Sequence, residues 1–380
     1  LGKWVDKFEL YVFAHFFGML IALTMGLKTR ERMSHNNGIG AKGTFTFDLD
    51  PDIPSHPFLI QGEKKPCQVR HGMATFYDDA MATIRSLSLK LSDKPYESPF
   101  DMNLNTGSIS LFWNAASFWK LAKMRRQKWG IEYQDYYKKY PIGREGAIST
   151  LRRNPTSFTN LTYYAKTPFN FVGDDGVQRY AKYRAIPFNL DTKESGLIPE
   201  RDILEPENQR VIPGETKTRN YLKNELANRL KTQTVKYWFQ IQIRDFEDDQ
   251  DESIFNCCID WDENKFPWRN IGIIELTEIM DWDSSNLLGF GVTNMPKGLD
   301  CIPAKSIYDY NSLNYMRAKT EVARKARLLG YKIFGKPIEI PEFRELVRES
   351  FSVAKNGIVF VVMTIIVVGI QYSAPKILRK

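Results

Sequence analysis

The 380 residues contain only four cysteines and four histidines. The cysteines are Cys67, the adjacent Cys257 and Cys258, and Cys301, with no CxxC spacing among them. The histidines (His15, His35, His56 and His71) all fall before residue 72. A zinc site of ordinary ligand spacing is therefore not expected, and the cysteine usage suits a reducing compartment rather than a disulfide framework. No internal repeat is evident. No strand pattern precedes the GxGxxG match at 38–43; a strand pattern follows it, which sets a dinucleotide site aside. The glycines are read instead as allowing close backbone packing in an extended segment. A net charge of +8 is spread among acidic residues over most of the chain, so nucleic acid is not an expected partner. Contact with anionic lipid is compatible with that charge.

The composition is that of a folded protein, with 43% apolar, 13% aromatic and 26% charged residues. Residues 356–375, NGIVFVVMTIIVVGIQYSAP, carry no charge. As a helix they would run about 30 Å, the thickness of a bilayer's hydrocarbon core. Lys355 and the closing KILRK flank them with positive charge. A transmembrane helix is the expectation, with the orientation left open by the two positive flanks. The stretch 10–27, interrupted only by His15, reads as a helix in the membrane interface or packed on a membrane partner.

Alternation predicts strands at 44–50, 108–113, 167–172 and 236–246, and helical patterning covers 112–128, 218–233 and about 309–329. Strands dominate the middle and helices follow, which favours an α+β fold with an antiparallel sheet or barrel. The organisation expected is an apolar helix over 1–28, a folded domain over 29–335, a linker over 336–355, the span at 356–375 and a basic tail at 376–380.

The segment RERMSHNNGIGAKGTFTF (30–47) resembles the distal segment of the catalase superfamily: an arginine, two residues, a histidine, then a glycine-rich turn into the first barrel strand. The resemblance continues in order through 69–91, 100–113, 162–187, 218–248, 265–286 and 294–300. It is nearer the short catalase-related branch, which includes coral allene oxide synthase. It implies an antiparallel catalase-type β-barrel with flanking helices, to which the terminal span is added. It also implies a distal haem pocket in which His35 moves a peroxide proton and Asn105 orients the peroxide. Arg32, Arg70 and Arg85 fall where the family places arginines, mostly toward haem propionates. Ser34 stands where true catalases carry valine, an arrangement shared with enzymes that rearrange fatty-acid hydroperoxides.

The proximal side departs from the family pattern, which ligates iron through a tyrosinate held by an arginine four residues earlier. Aligning ARLLG of NYMRAKTEVARKARLLG (314–330) with the family's ending puts Arg317 at the arginine and Glu321 at the ligand. Tyr315 lies about 240° around the helix from position 321, and Tyr310 roughly 16 Å along its axis. The reading that follows is a chain without haem. An Arg317–Glu321 ion pair fills the ligand's space, and the protein acts as an accessory subunit among other membrane-protein subunits. The mitochondrial inner membrane or a bacterial cytoplasmic membrane is its expected place. The alternative is a membrane-bound haem enzyme acting on fatty-acid hydroperoxides, for which lipid is the partner.

Overall fold

The computed structural model describes residues 32, 35, 37–74, 78–126, 131–200, 214–245, 252–304, 306–319 and 321–335. The backbone groups Ser34–Ala318 into one compact unit, and Leu1–Met33 with Lys319–Lys380 into another. The apolar stretch 10–27, the linker 336–355, the span 356–375 and the tail 376–380 all lie outside the described residues. Among those described, no helix is long and apolar enough to cross a membrane.

The first unit is built on β1 (Gly38–Phe47), β2 (Lys64–Met73), β3 (Thr83–Lys90), β4 (Asp101–Thr106), β5 (Leu151–Arg152), β6 (Tyr163–Val172), β7 (Gln178–Pro187), β8 (Val235–Asp245) and β9 (Trp268–Ile279). Their order is β2-β1-β9-β8-β7-β6-β4-β3-β5, and β2 also pairs with β3. That pairing closes eight antiparallel strands into a barrel and leaves the two-residue β5 as an appendage on β3. Closure removes the exposed edges that an open sheet would present.

Period two decides which side chains enter the barrel. Ala41, Phe45 and Phe47 of β1, Cys67 and Val69 of β2, Leu87 and Leu89 of β3, and Met102 and Leu104 of β4 share one core. Aromatic rings fill its centre: Tyr183 stacks on Phe239 at 5.8 Å, and Phe45 meets Phe239 edge-on at 5.9 Å. Such pairs add about 0.5–1.5 kcal/mol each beyond their buried area. The glycines of GIGAKG lie inside β1, as expected of close-packed extended backbone. A Cβ at Gly43 would stand 1.8 Å from the Glu275 carbonyl oxygen of β9, so only a bare backbone fits where β1 and β9 slip register.

Helices α1 (Ala115–Arg126), α2 (Ile131–Lys139), α3 (Pro141–Thr150), α4 (Tyr221–Arg229), α5 (Glu252–Phe255), α6 (Trp282–Leu287) and α7 (Ser312–Lys319) flank the barrel strands in sequence. The second unit holds α8 (Glu321–Phe334). The patterns at 112–128, 218–233 and 309–329 correspond to α1, α4 and the pair α7 and α8. The strand expected at 108–113 is absent. Gly107, at φ +79°, turns the chain away after β4. The backbone of Ser110 then bonds the 257–258 turn, donating to the Cys257 carbonyl at 2.8 Å and accepting from the Cys258 thiol at 3.0 Å. Alternation was present in the sequence, but tertiary partners took its hydrogen bonds.

His71 sits inside the barrel, fully buried, stacked on Phe158 at 4.9 Å and 3.1 Å from the Tyr237 hydroxyl. Burial drives its pKa down to about 3 from 6.5, against a backbone hydrogen bond that raises it. Between those values the unfolded chain holds a proton that the folded one refuses. Stability should therefore fall as pH drops from about 6.5 toward 3, by about 1.4 kcal/mol per pH unit from this group. Urea unfolding at pH 7 and pH 4.5 measures the slope. His71→Gln should remove that contribution; an unchanged slope in the variant would refute it.

Candidate active site

Four strands present a flat polar shelf on the face opposite the core. The register aligns Gly38 of β1, Gly72 of β2, Ser86 of β3 and Asn105 of β4 in one row. The adjacent outward row is Gly40, Arg70, Ser88 and Asn103, with the Ser88 hydroxyl donating to Asn103 Oδ1 at 2.9 Å. Three strand spacings put Gly38 and Asn105 about 14 Å apart. Along the row only Gly72 and Ser86 lie between them, and the Arg70 guanidinium of the next row leans over Gly38, where a Cβ would stand 2.7 Å from Nη1. A Cβ at Gly72 would come within 3.2 Å of both Arg70 Nη1 and Ser86 Oγ. Ser88, Asn103 and Asn105 remain half-buried, so the shelf keeps accessible polar surface. Helix α6 bounds it at Gly40, where a Cβ would meet Ser285 and Met280 at 3.0 Å.

A third outward row, Gln68, Lys90 and Asp101, closes the bottom. Lys90 Nζ donates to both Asp101 oxygens, at 2.8 and 3.0 Å, with both side chains wholly buried. Asp101 also accepts from the Gly291 amide at 2.9 Å and from Asn294 Nδ2 at 2.8 Å, while Phe290 lies 5.5 Å from the ammonium. The segment around 290–294 is thus fastened over the lower wall by a charge pair.

His35 stands three residues before the shelf's first glycine. Its φ is +58°, in the left-handed region, shared among the described non-glycine residues only with Asn154. That conformation costs an L-residue about 1–2 kcal/mol. The neighbours fix it there: Arg70 Nη1 donates to the His35 carbonyl at 2.7 Å, and the His35 amide reaches the Ala74 carbonyl at 3.5 Å. Behind it, Asn37 Nδ2 donates to Asp79 Oδ1 at 3.2 Å, and Lys223 Nζ donates to Asn37 Oδ1 at 2.7 Å and to Asp79 Oδ1 at 2.8 Å. Asp79 Oδ2 accepts from the Leu222 amide at 3.0 Å at the start of α4, where a carboxylate meets the helix's unpaired N–H groups. One fully buried carboxylate therefore ties the segment after His35 to α4.

Arg70→Leu would strip the His35 carbonyl of its charged donor. The expected cost is about 1.5–3 kcal/mol, read from urea unfolding, with Arg70→Lys recovering part of it. Equal stability of the three proteins would show that the bond fixes nothing.

The expected pocket residues do not all converge. His35, Arg70 and Asn105 frame the shelf. Arg85 does not: it belongs to the inward-facing set of β3, and its guanidinium donates to Met73 Sδ at 2.9 Å and to the carbonyls of Asp79 at 2.7 Å and Met81 at 2.8 Å. Burial lowers its pKa to about 10. It pins the turn between β2 and β3 rather than facing a propionate. Arg317 lies on α7, is exposed, and donates to Asn314 Oδ1 at 3.3 Å. Arg32 is half-buried in the other unit. Glu321 is the first residue of α8. Ser34 and the side chain of Glu321 lie outside the described residues, and the expected Arg317–Glu321 pair with the latter.

Gly72, Ser86, Asn37, Asp79 and Lys223 were not foreseen as site residues. The small outward residues Ser86 and Ser88 of β3 and Gly72 of β2 were a signal for the shelf, legible only once the register is known. The small side chains of the row are compatible with a flat macrocycle on that side, and the Arg70 guanidinium lies over its Gly38 end.

No family model matches the chain. It is 33% identical over 307 residues to the allene oxide synthase-lipoxygenase protein of Plexaura homomalla, covering 79% of this chain and 28% of that protein. It is 29% identical over 338 residues to linolenate 9R-lipoxygenase of Nostoc sp., covering 83% of this chain and 42% of that one. The chain thus spans less than half the length of either curated relative. Among solved structures, catalase A from Saccharomyces cerevisiae superposes with a TM-score of 0.62 at 16% identity, covering 82% of this chain and 65% of that one. That likeness concerns the fold alone, and the closed antiparallel barrel agrees with it. In sequence the chain resembles proteins named for allene oxide synthase and lipoxygenase, in fold it resembles catalase, and the two likenesses are consistent with the catalase-related branch.

Proposed function

We propose that this chain is a haem enzyme acting on fatty-acid hydroperoxides. The observation that carries the reading is the uninterrupted row from Gly38 to Asn105, with His35 pinned at one end and only glycine and serine between. The relatives' names support the substrate class, since both contain lipoxygenase and one contains allene oxide synthase. Haem, when bound, supplies the redox chemistry of O–O cleavage. Arg70 would hold its edge. His35 would take the hydroperoxide proton and return it to the leaving oxygen, and the Asn105 amide would orient the peroxide group by hydrogen bonding. The apolar segments at 10–27 and 356–375 would hold the chain at a membrane, where its substrate is dissolved.

The test is haem titration of the purified chain, followed by addition of a polyunsaturated fatty-acid hydroperoxide. A saturable Soret band and loss of hydroperoxide are expected. Absence of both, with the barrel intact by circular dichroism, would overturn the proposal. One observation favours a second reading, a non-catalytic subunit of a membrane complex: Glu321 stands where the family carries its tyrosine ligand. Co-purification with a large complex in mild detergent, lost on deleting 356–380, would then be the expected result.

A further inference from the structure

Helix α8 is amphipathic in an inverted sense. A helix that covers a core hides its apolar stripe and offers its charges to water. Along α8 the reverse holds. Arg327 is buried, at 4% exposure, with its guanidinium 5.9 Å from the centre of the Tyr331 ring. Leu329, Ile333 and Phe334 are exposed, at 48%, 59% and 59%. Lys325 and Lys332 are exposed as well.

The spacing gathers these residues on one side. Turning about 100° per residue, Lys332, Lys325, Leu329 and Ile333 follow one another within a single arc of about 100°. Two lysines form one edge of that arc, and a leucine and an isoleucine form the other. Gly335, at φ +70°, then ends the helix, its amide donating to the Tyr331 carbonyl at 3.0 Å. The exposed face therefore occupies the last turns of α8, and Phe334 extends its apolar part at the tip. The helix carries four basic residues and one acidic one.

We propose that the face of α8 holding Lys325, Leu329, Lys332 and Ile333 docks on an anionic phospholipid surface, with the helix lying in the plane of the interface. The chemistry of the face decides between partners. Leucine, isoleucine and phenylalanine suit the boundary between headgroups and acyl chains, where apolar area leaves water without entering the bilayer's centre. Lysine stems are themselves apolar and can run beside them, which lifts each ammonium to the level of the phosphates. A basic edge beside an apolar edge thus matches both layers of such a surface at once. The apolar segments at 10–27 and 356–375 would hold the chain at any bilayer, whereas this face would select one with negative headgroups. None of the shelf residues takes part, so the docking does not depend on haem or on the hydroperoxide reading.

The experiment places an environment-sensitive NBD dye on Ile333→Cys in the full chain, reconstituted into vesicles. Val177→Cys serves as the reference, since Val177 is an apolar residue of the barrel unit with comparable exposure, 46%. The parent chain treated alike gives the signal of the native cysteines, three of which are buried. The vesicles are phosphatidylcholine alone or phosphatidylcholine mixed with phosphatidylserine, each with and without nitroxide-labelled lipid, and circular dichroism checks the fold of every variant. In the serine-lipid vesicles the dye at 333 should shift to the blue and be quenched by the nitroxide, and in phosphatidylcholine alone it should emit as at 177. Replacing Lys325 and Lys332 with glutamine should weaken docking about fivefold per lysine. Added salt should weaken it in the same direction. A blue-shifted dye that the nitroxide does not quench would show the face covered by the chain's own apolar segments or by a second copy, and would overturn the proposal. Emission at 333 that is the same in both kinds of vesicle, or quenching no greater than at 177, would overturn it equally.

Discussion

Replacing His35 with glutamine should lower hydroperoxide turnover by the haem-loaded protein about 10²–10⁴-fold, the usual contribution of a positioned acid–base group. Glutamine keeps the size and a hydrogen bond but cannot shuttle a proton, so the Soret band and haem affinity should stay as in the parent. The same position offers a second reading through stability. His35 holds φ at +58°, a conformation that glycine adopts without penalty. His35→Gly should therefore remove activity and yet raise unfolding free energy by about 1 kcal/mol, measured in urea. If His35→Gln turns over hydroperoxide at the parent rate, the shelf is not where the proton moves. If His35→Gly is less stable, the contacts of the imidazole side chain outweigh the backbone strain, since glycine keeps the carbonyl that Arg70 holds.

The largest stability effect should come from the lower wall. Lys90 and Asp101 are wholly buried and bonded at 2.8 and 3.0 Å. Asp101→Ala leaves an ammonium in apolar surroundings and also strips the Gly291 amide of its acceptor. The expected loss is about 3–5 kcal/mol, and Lys90→Ala should cost a comparable amount. Lys90→Met with Asp101→Leu removes both charges while keeping volume, and should recover most of the loss because no charge is stranded. Chemical denaturation of the four proteins forms a double-mutant cycle. A double variant as unstable as the sum of the singles would mean that the pair matters through its contacts to 290–294 rather than through its mutual charge.

The distal half of the candidate site was expected from a resemblance whose parts keep fixed neighbours along the chain. His35 precedes a glycine-rich strand, and Asn105 lies in the segment 100–113 that carried part of the resemblance, on β4 in the structure. Arg85 shows where that reading stops. Its position in sequence suggested a role toward a cofactor. The parity of β3 turns it to the opposite face, where three groups of its own chain occupy it. A one-residue difference in pleat reverses a side chain, and no local pattern reports it. Asp79 was equally hidden, because its partners Asn37, Leu222 and Lys223 come from two distant segments.

The sequence by itself determined the barrel strands with strong alternation, such as β6 and β8, and the helices α1 and α4. Their period is a local property and their apolar faces are written in order. The tertiary structure decided the rest. It converted the alternation at 108–113 into irregular chain held by the 257–258 turn and set the row joining Gly38 to Asn105. Those outcomes depend on register and on partners far away in the chain. Hydrogen bonds and charges choose such partners only after the barrel closes.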